Sequence, residues 1–323
     1  MAEYKIIKLK NMSPLHIGTG RESYDFSSDE LQSDRISAAL SAIGIQSGKV
    51  NATDVEKFLN AFAISSAFPY HDTKEGKTVL FLPRPSGRLN VAAELEAKHR
   101  KELKKMKFVP IEIWSNIVSG KQLSISDFKS LDSADVSKSQ TNERVTISNG
   151  GSMPFFFEWN FFDGNSGLYF IVDVNDESFA NFQLIKELFV LLGEVGLGTD
   201  KNVGGGKFDI EESSIILPDV KDADSTMLLS SYIPATEAEL KALNLENSRY
   251  ELINRDGYIA GSNRDEFRHL RKKSIYMFNT SSVFATTDAL KGKIVNLAPK
   301  YENMHQVLRS GMPLTLKIKT QQQ

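Results

Sequence analysis

Apolar and polar positions alternate along EYKIIKLKNM near the start of the chain, which predicts a β-strand. SPLHIGTGR follows as a glycine-containing turn. SSDELQSDRISAALSAIG then places Leu31, Ile36, Leu40 and Ile43 roughly on one helical face behind a Ser or Asp cap. VNATDVEKFLNAFAISSAFPY reads as a second helix, and TVLFLPRPSG as a strand ending at a turn rich in proline and glycine. From Ser119 to Gly151 the apolar periodicity is lost, and the stretch reads as a long polar insertion, either functional or without fixed order. FFFEWNFFDGNSGLYFIVDV reads as an aromatic-rich hairpin with a Gly-Asn turn. NFQLIKELFVLLGEVG is an amphipathic helix, separated by a glycine cluster from a strand, KFDIEESSIIL. The sum is an α+β chain whose residues 1–217 follow a split βαβ, ferredoxin-like order. PDVKDADST reads as a linker. Beyond it, from 225 to 323, MLLSSYIPA, RYELINRDGYIA, KKSIYMFNTSSVFA, KIVNLA and MPLTLKIK predict a second, mostly β domain, with QQQ as a frayed tail.

The 323 residues are enough for two domains of ordinary size, and 41% hydrophobic with 25% charged content is that of a soluble globular protein. There is no cysteine, which excludes disulfides, a thiolate nucleophile and cysteine-ligated zinc. No run of about 18 apolar residues could span a membrane and the start lacks the apolar core of a signal peptide, so a cytoplasmic protein is expected. A net charge of −2 argues against a general polyanion binder but allows local basic patches. Such patches occur at 98–107 and 264–273, and each is more commonly a solvated face unless something ties it to a site.

The glycine cluster is the most informative segment. Gly196, Gly198, Gly204, Gly205 and Gly206 lie within eleven residues, interleaved with Lys201 and Lys207. Glycine permits positive φ and close backbone approach, and N–H groups left free in such a loop can cradle phosphate oxygens. The order helix–loop–strand, and the absence of G-x-x-x-x-G-K-[ST], separate it from nucleotide-binding P-loops. The reading is a backbone phosphate clamp, and the alternative is a glycine-rich helix stop or hairpin with no ligand.

LGEVGLGTDKNVGGGKF, SPLHIGTGR and SDRISAALSAI together resemble the RAMP superfamily (repeat-associated mysterious proteins) of CRISPR systems. RKKSIYMFNTSSVF and HQVLRSGMPLTLKIK resemble one subfamily, the fourth Csm subunit of type III-A effector complexes. The resemblance implies two RRM-like, ferredoxin-like domains, the second mostly β. It also implies a non-catalytic crRNA-binding role that grips the 5′ tag and bridges the large signalling subunit to the repeating backbone subunit. Target RNA would be met only indirectly, and no cofactor or metal is expected.

By the resemblance, Gly18, Gly20 and Arg21 are expected to converge with Lys201, Asn202, Gly204, Gly205, Gly206 and Lys207 on a short hooked RNA segment. Arg144, in NERVTISNGG, is the one basic residue of a thumb-like hairpin where the family tends to carry two, and Ser148 and Asn149 follow instead. Arg271, Lys272 and Lys273 are either an exposed strand start or an RNA or subunit contact. Single-stranded RNA is commonly bound by stacking bases on aromatic rings, for which Phe155 to Phe157, Trp159 and Tyr169 are candidates, against a core role for the same side chains. His16 is expected to contact RNA or serve structurally; as a general base it would make the chain a stand-alone repeat endoribonuclease, the alternative function. Asp34, with no second acid on its face, is expected to turn toward a backbone or arginine partner rather than a metal.

Overall fold

A computed structural model describes residues 2–18, 24–129, 135–148, 151–259 and 264–320. The alternating opening forms β1 (Ala2–Lys10), and α1 (Ser33–Gln46) buries Ile36, Leu40 and Ile43 as one stripe. The expected second helix is real only over α2 (Val55–Asn60); β2 (Phe62–Ile64) and β3 (Phe68–Asp72) follow it. The apolar run FAISSAFPY is continuous rather than spaced at 3.6 residues, and pairing decides its state. Phe62 lies opposite Val174 and Phe68 opposite Tyr169 in the neighbouring strand.

Next come β4 (Thr78–Pro83), α3 (Ala93–Lys105), β5 (Phe108–Pro110), α4 (Ile111–Val118) and α5 (Ile125–Lys129). The polar insertion holds a long strand, β6 (Ser137–Ser148), paired with β7 (Gly151–Phe162) from Ser137↔Phe162 to Ser148↔Gly151. The expected hairpin is therefore displaced by one strand. β7 pairs with β6, while β8 (Ser166–Val174) leaves it to enter the central sheet. The cause is burial: β8 is apolar on both faces, whereas β6 is polar and stands outward, paired with β7 alone and open to water on its other edge.

Helix α6 (Phe182–Val195), capped by Asn181 whose side chain accepts from Leu184 N–H, leads through the glycine loop into β9 (Asp209–Leu217). β1 pairs antiparallel with β8 on one side and β9 on the other, and the sheet order is β5-β4-β3-β8-β1-β9. The strands β9-β1-β8-β3 with α1 and α6 make the split βαβ order.

Both faces of this sheet are covered. Leu168, Phe170 and Val172 of β8 pack with Ile7 and Leu9 of β1 against α1, α2 and α6. Tyr169 and Ile171, on the opposite face by strand alternation, pack with Ile6, Trp114 and Val118. Residues of the C-terminal half close the same core: Met227, Leu229, Leu316 and Ile318.

That half comprises β10 (Ser225–Leu228), α7 (Glu237–Ala242), β11 (Leu252–Arg255), α8 (Asp265–Arg268), β12 (Ile275–Phe278), β13 (Val283–Phe284), β14 (Ile294–Asn296), β15 (Leu308–Ser310) and β16 (Thr315–Ile318). It is mostly β, as the sequence suggests, with a three-stranded sheet β13-β10-β16 and two-stranded pairs β11-β12 and β14-β15. Polar bonds sew it to the first half. Ser231 N–H donates to Ser33 Oγ at 2.8 Å, and Gln32 Nε2 donates to Asn279 Oδ1 at 2.8 Å.

Candidate nucleic-acid interface

Two loops meet at one end of the sheet, that after β1 and that between α6 and β9. Ser13 joins them three times: its N–H donates to Lys207 O (2.8 Å), its Oγ donates to Gly204 O (2.8 Å), and the Lys207 N–H donates to that Oγ (2.7 Å). The Gly206 N–H donates to Pro14 O (2.9 Å) and the Thr199 N–H to His16 O (3.1 Å). The glycines are what allow this contact. A Cβ on Gly198 would sit 2.2 Å from His16 O, and one on Gly206 would sit 2.0 Å from Leu197 O.

This corrects one part of the sequence reading. The N–H groups of Gly204, Gly205, Gly206 and Lys207 are not free to cradle phosphates; they donate to Lys201 O, Asp200 O, Pro14 O and Ser13 Oγ. Glycine serves close packing of protein on protein here, with Gly205 and Gly206 buried and Gly204 half-buried. What the loop offers outward is side chains. Asn202 and Lys207 are exposed, and Lys201 is half-buried, its ammonium shifted below its ordinary pKa by burial.

The β6–β7 hairpin closes over the loop. Arg144 ion-pairs with Asp200 and lies over the rings of Phe157 (4.2 Å) and Trp159 (5.3 Å). Its planar, delocalised cation suits both contacts. The Trp159 ring backs Gly205, where a Cβ would lie 2.6 Å from it. His16 is buried, its Nδ1 donating to Glu158 O at 2.7 Å and its ring 4.4 Å from that of Phe157. That placement contradicts a direct RNA contact by His16: the side chain is a brace between loop and hairpin.

The structure thus gathers His16, Gly18's loop, Arg144 and Lys201 to Lys207. Gly20, Arg21 and Asn149 lie outside the described residues, as does Ser148's side chain. Arg271, Lys272 and Lys273 belong to a different place, the C-terminal half, with Lys272 at its seam with the first half. Arg271 lies over the Tyr258 ring (5.2 Å) and Lys273 is exposed, whereas Lys272 is half-buried. Of the aromatic candidates, Tyr169 is core, donating to Phe81 O at 2.7 Å, and Phe157 and Trp159 are buried. Phe156 is exposed, and so is Tyr24, whose ring stacks on Phe157 with centroids 5.9 Å apart. Sequence reasoning missed Tyr24, Ser13 and Asp200. Only the Ser-Pro and Thr-Asp steps flanking the glycine turns hinted at the last two.

Asp34 turns toward arginine partners as expected, bound by Arg255 and Arg309. No helix among the described residues is long and apolar enough to cross a membrane.

A split βαβ sheet whose last helix and strand are joined by a glycine loop, braced on the loop after the first strand and topped by a long hairpin, is the arrangement that the resemblance to RAMP proteins leads one to expect. Comparison with known proteins narrows this. Residues 221–318 match the model of the CRISPR Csm4 C-terminal domain. Over 316 residues the chain is 25% identical to the CRISPR system Cms protein Csm4 of Streptococcus thermophilus, covering 94% of this chain and 95% of that one. Among solved structures it is similar to a chain of a Csm1–Csm4 cassette in complex with cA4 (TM-score 0.64, 18% identity, 100% of both chains). It is likewise similar to a chain of a Csm3–Csm4 subcomplex of the type III-A CRISPR-Cas interference complex (TM-score 0.62, 16% identity, 98% of this chain and 100% of that one). The C-terminal part thus matches the Csm4 C-terminal domain, and the chain as a whole is similar to Csm4 proteins.

Proposed function

We propose that this chain is the non-catalytic subunit of a type III-A CRISPR effector that grips the 5′ tag of the crRNA and bridges the large signalling subunit to the repeating backbone subunit. The observation that carries the reading is the surface where two loops and a hairpin converge. Lys201, Asn202 and Lys207 stand around Gly204, where a Cβ would meet nothing within 4 Å and a sugar–phosphate backbone can come close, and Arg144 stands beside them. The phosphates are held by side chains, not by the loop's N–H groups. The exposed rings of Tyr24 and Phe156 offer faces on which splayed bases can stack.

The bridging role is supported by the similar chains, which are found in a Csm1–Csm4 cassette and in a Csm3–Csm4 subcomplex. In this reading residues 1–217 carry the RNA grip and 225–323 the contacts with neighbouring subunits, within the cytoplasm. The buried His16 supports a role without catalysis. A general base must come within about 3 Å of the proton it removes, and the His16 ring is enclosed by Phe157 and Tyr24 while its Nδ1 is spent on Glu158 O.

The test is co-expression with the other Csm subunits and crRNA, followed by sequencing of the RNA ends that survive nuclease. The wild-type complex is expected to protect the 5′ tag, and Lys201→Ala with Lys207→Ala to expose it. Equal protection in both contradicts the grip. Metal-free cleavage of labelled repeat RNA by the purified chain, abolished by His16→Ala, would instead make it an endoribonuclease.

A further inference from the structure

Away from the glycine loop, four cations gather around one carboxylate where α1 meets the C-terminal half. The Asp34 carboxylate is wholly buried. It accepts from Arg255 Nε and Nη2, both at 3.0 Å, from Arg309 Nη1 at 2.8 Å, and from Ser231 Oγ at 3.4 Å. Burial alone would push its pKa up, but Arg309 and Arg255 hold it below the usual carboxylate range. One negative charge is thereby shared between two guanidiniums that are each only 10% exposed.

Arg35 and Lys272 stand in the same field and have no counter-charge of their own. Neither side chain has a hydrogen-bond or ion-pair partner among the described residues. Burial lowers the Arg35 guanidinium to about 10, with Arg255 and Arg309 adding to the effect and Asp34 opposing it. Burial, then Arg309, lowers the Lys272 ammonium to about 8, again with Asp34 as the one carboxylate acting on it.

Arg309 Nε is buried with no partner among the described residues, a donor that a folded protein normally satisfies. Helix α1 opens at this place with no side-chain cap from Gln32, so its first-turn N–H groups add positive potential. Lys8 shows how this fold treats a buried lysine that is complete in itself: its Nζ meets Asp72 at 3.3 Å and Glu211 at 3.0 Å. A surplus of three positive charges in a partly dry seam is costly unless an anion joins it.

We propose that this seam, formed by Arg35, Lys272 and Arg309 Nε around Asp34, is a phosphate-binding site. Tetrahedral oxyanions fit because they accept from several donors at once and carry close to the missing charge. The phosphate can come from an RNA backbone, which would extend the RNA path of the preceding reading, or be free in solution.

Thermal unfolding of the purified full chain, titrated with inorganic phosphate at constant ionic strength against chloride, tests this. Phosphate is expected to raise Tm where chloride does not. Lys272→Gln and Arg35→Gln, which remove surplus charge, are expected to raise the Tm of the phosphate-free chain. Each should also weaken the phosphate response about tenfold. A Tm unmoved by phosphate, or a response that survives both substitutions intact, overturns the proposal. Phosphate-free variants less stable than wild type overturn its premise of surplus charge.

Binding of a single-stranded tag RNA separates the two sources. Loss of RNA affinity in Lys272→Gln assigns the phosphate to RNA; unchanged RNA affinity with a lost phosphate response assigns it to a free anion. Absence of RNA binding in wild type, with the phosphate shift kept, sinks the tag-gripping reading and leaves the seam site standing.

Discussion

The glycine loop and the Asp34 seam both collect basic side chains, and they differ in what surrounds the charge. At the loop, Lys207 is exposed and Arg144 already has Asp200, so water and one neighbour leave no electrostatic debt. In the seam the cations are buried or half-buried and outnumber the single carboxylate. Surface lysines are cheap and therefore say little alone; their case as an RNA surface rests on the glycines and aromatics around them. Buried cations in excess make a stronger demand, because each must find a partner or weaken the fold.

The comparison is broken most severely by Asp34→Ala. It leaves Arg255 and Arg309 facing each other without their shared counter-charge and is expected to cost about 3–5 kcal/mol in urea unfolding. A loss below about 1 kcal/mol would mean the seam is better solvated than its burial implies. At the loop, stability is limited by sterics instead of charge. Gly206 has φ 67°, and a Cβ there would press on Leu197 O, so Gly206→Ala is expected to cost about 3 kcal/mol. Gly204 has φ 87° but nothing within 4 Å of a Cβ, so Gly204→Ala should cost only about 1 kcal/mol. Similar losses at both positions would show that the close packing is not what requires glycine.

A smaller effect concerns pH. Burial first, then Arg309, Arg35 and Arg255, lower Lys272 from 10.5 to about 8 against the opposing pull of Asp34. The unfolded chain keeps that proton to higher pH than the folded one, so unfolding takes up a proton between those values and stability rises with pH across the window. Comparing wild type with Lys272→Gln isolates the rise; a parallel pair of curves would contradict it. Least of all should stability respond to Lys201→Ala with Lys207→Ala, a change expected to stay within about 0.5 kcal/mol.

The main sheet was legible because its signals are local. EYKIIKLKNM alternates, and NFQLIKELFVLLGEVG carries its own cap and periodicity, so β1 and α6 follow from short windows. Phe62–Ile64 and Ser137–Ser148 were misread because their state is set by distant partners, β8 for the first and β7 for the second. The loop's location was legible and its chemistry only in part. Glycine spacing marks a place where backbones approach, yet cannot tell whether the approaching chain is RNA or the protein's own Ser13 and His16. Asp34 announced a backbone or arginine partner but not which. Arg255 and Arg309 lie 221 and 275 residues away, and only the fold brings them in.

The grip itself is tested most directly by the salt dependence of tag-RNA binding to the assembled complex. Each phosphate contact to a single strand contributes about −0.7 to the slope of log K against log salt. Lys201→Ala with Lys207→Ala is therefore expected to make the slope shallower by about 1.4 while weakening binding at low salt. Identical slopes for wild type and the double variant would contradict the grip by these side chains.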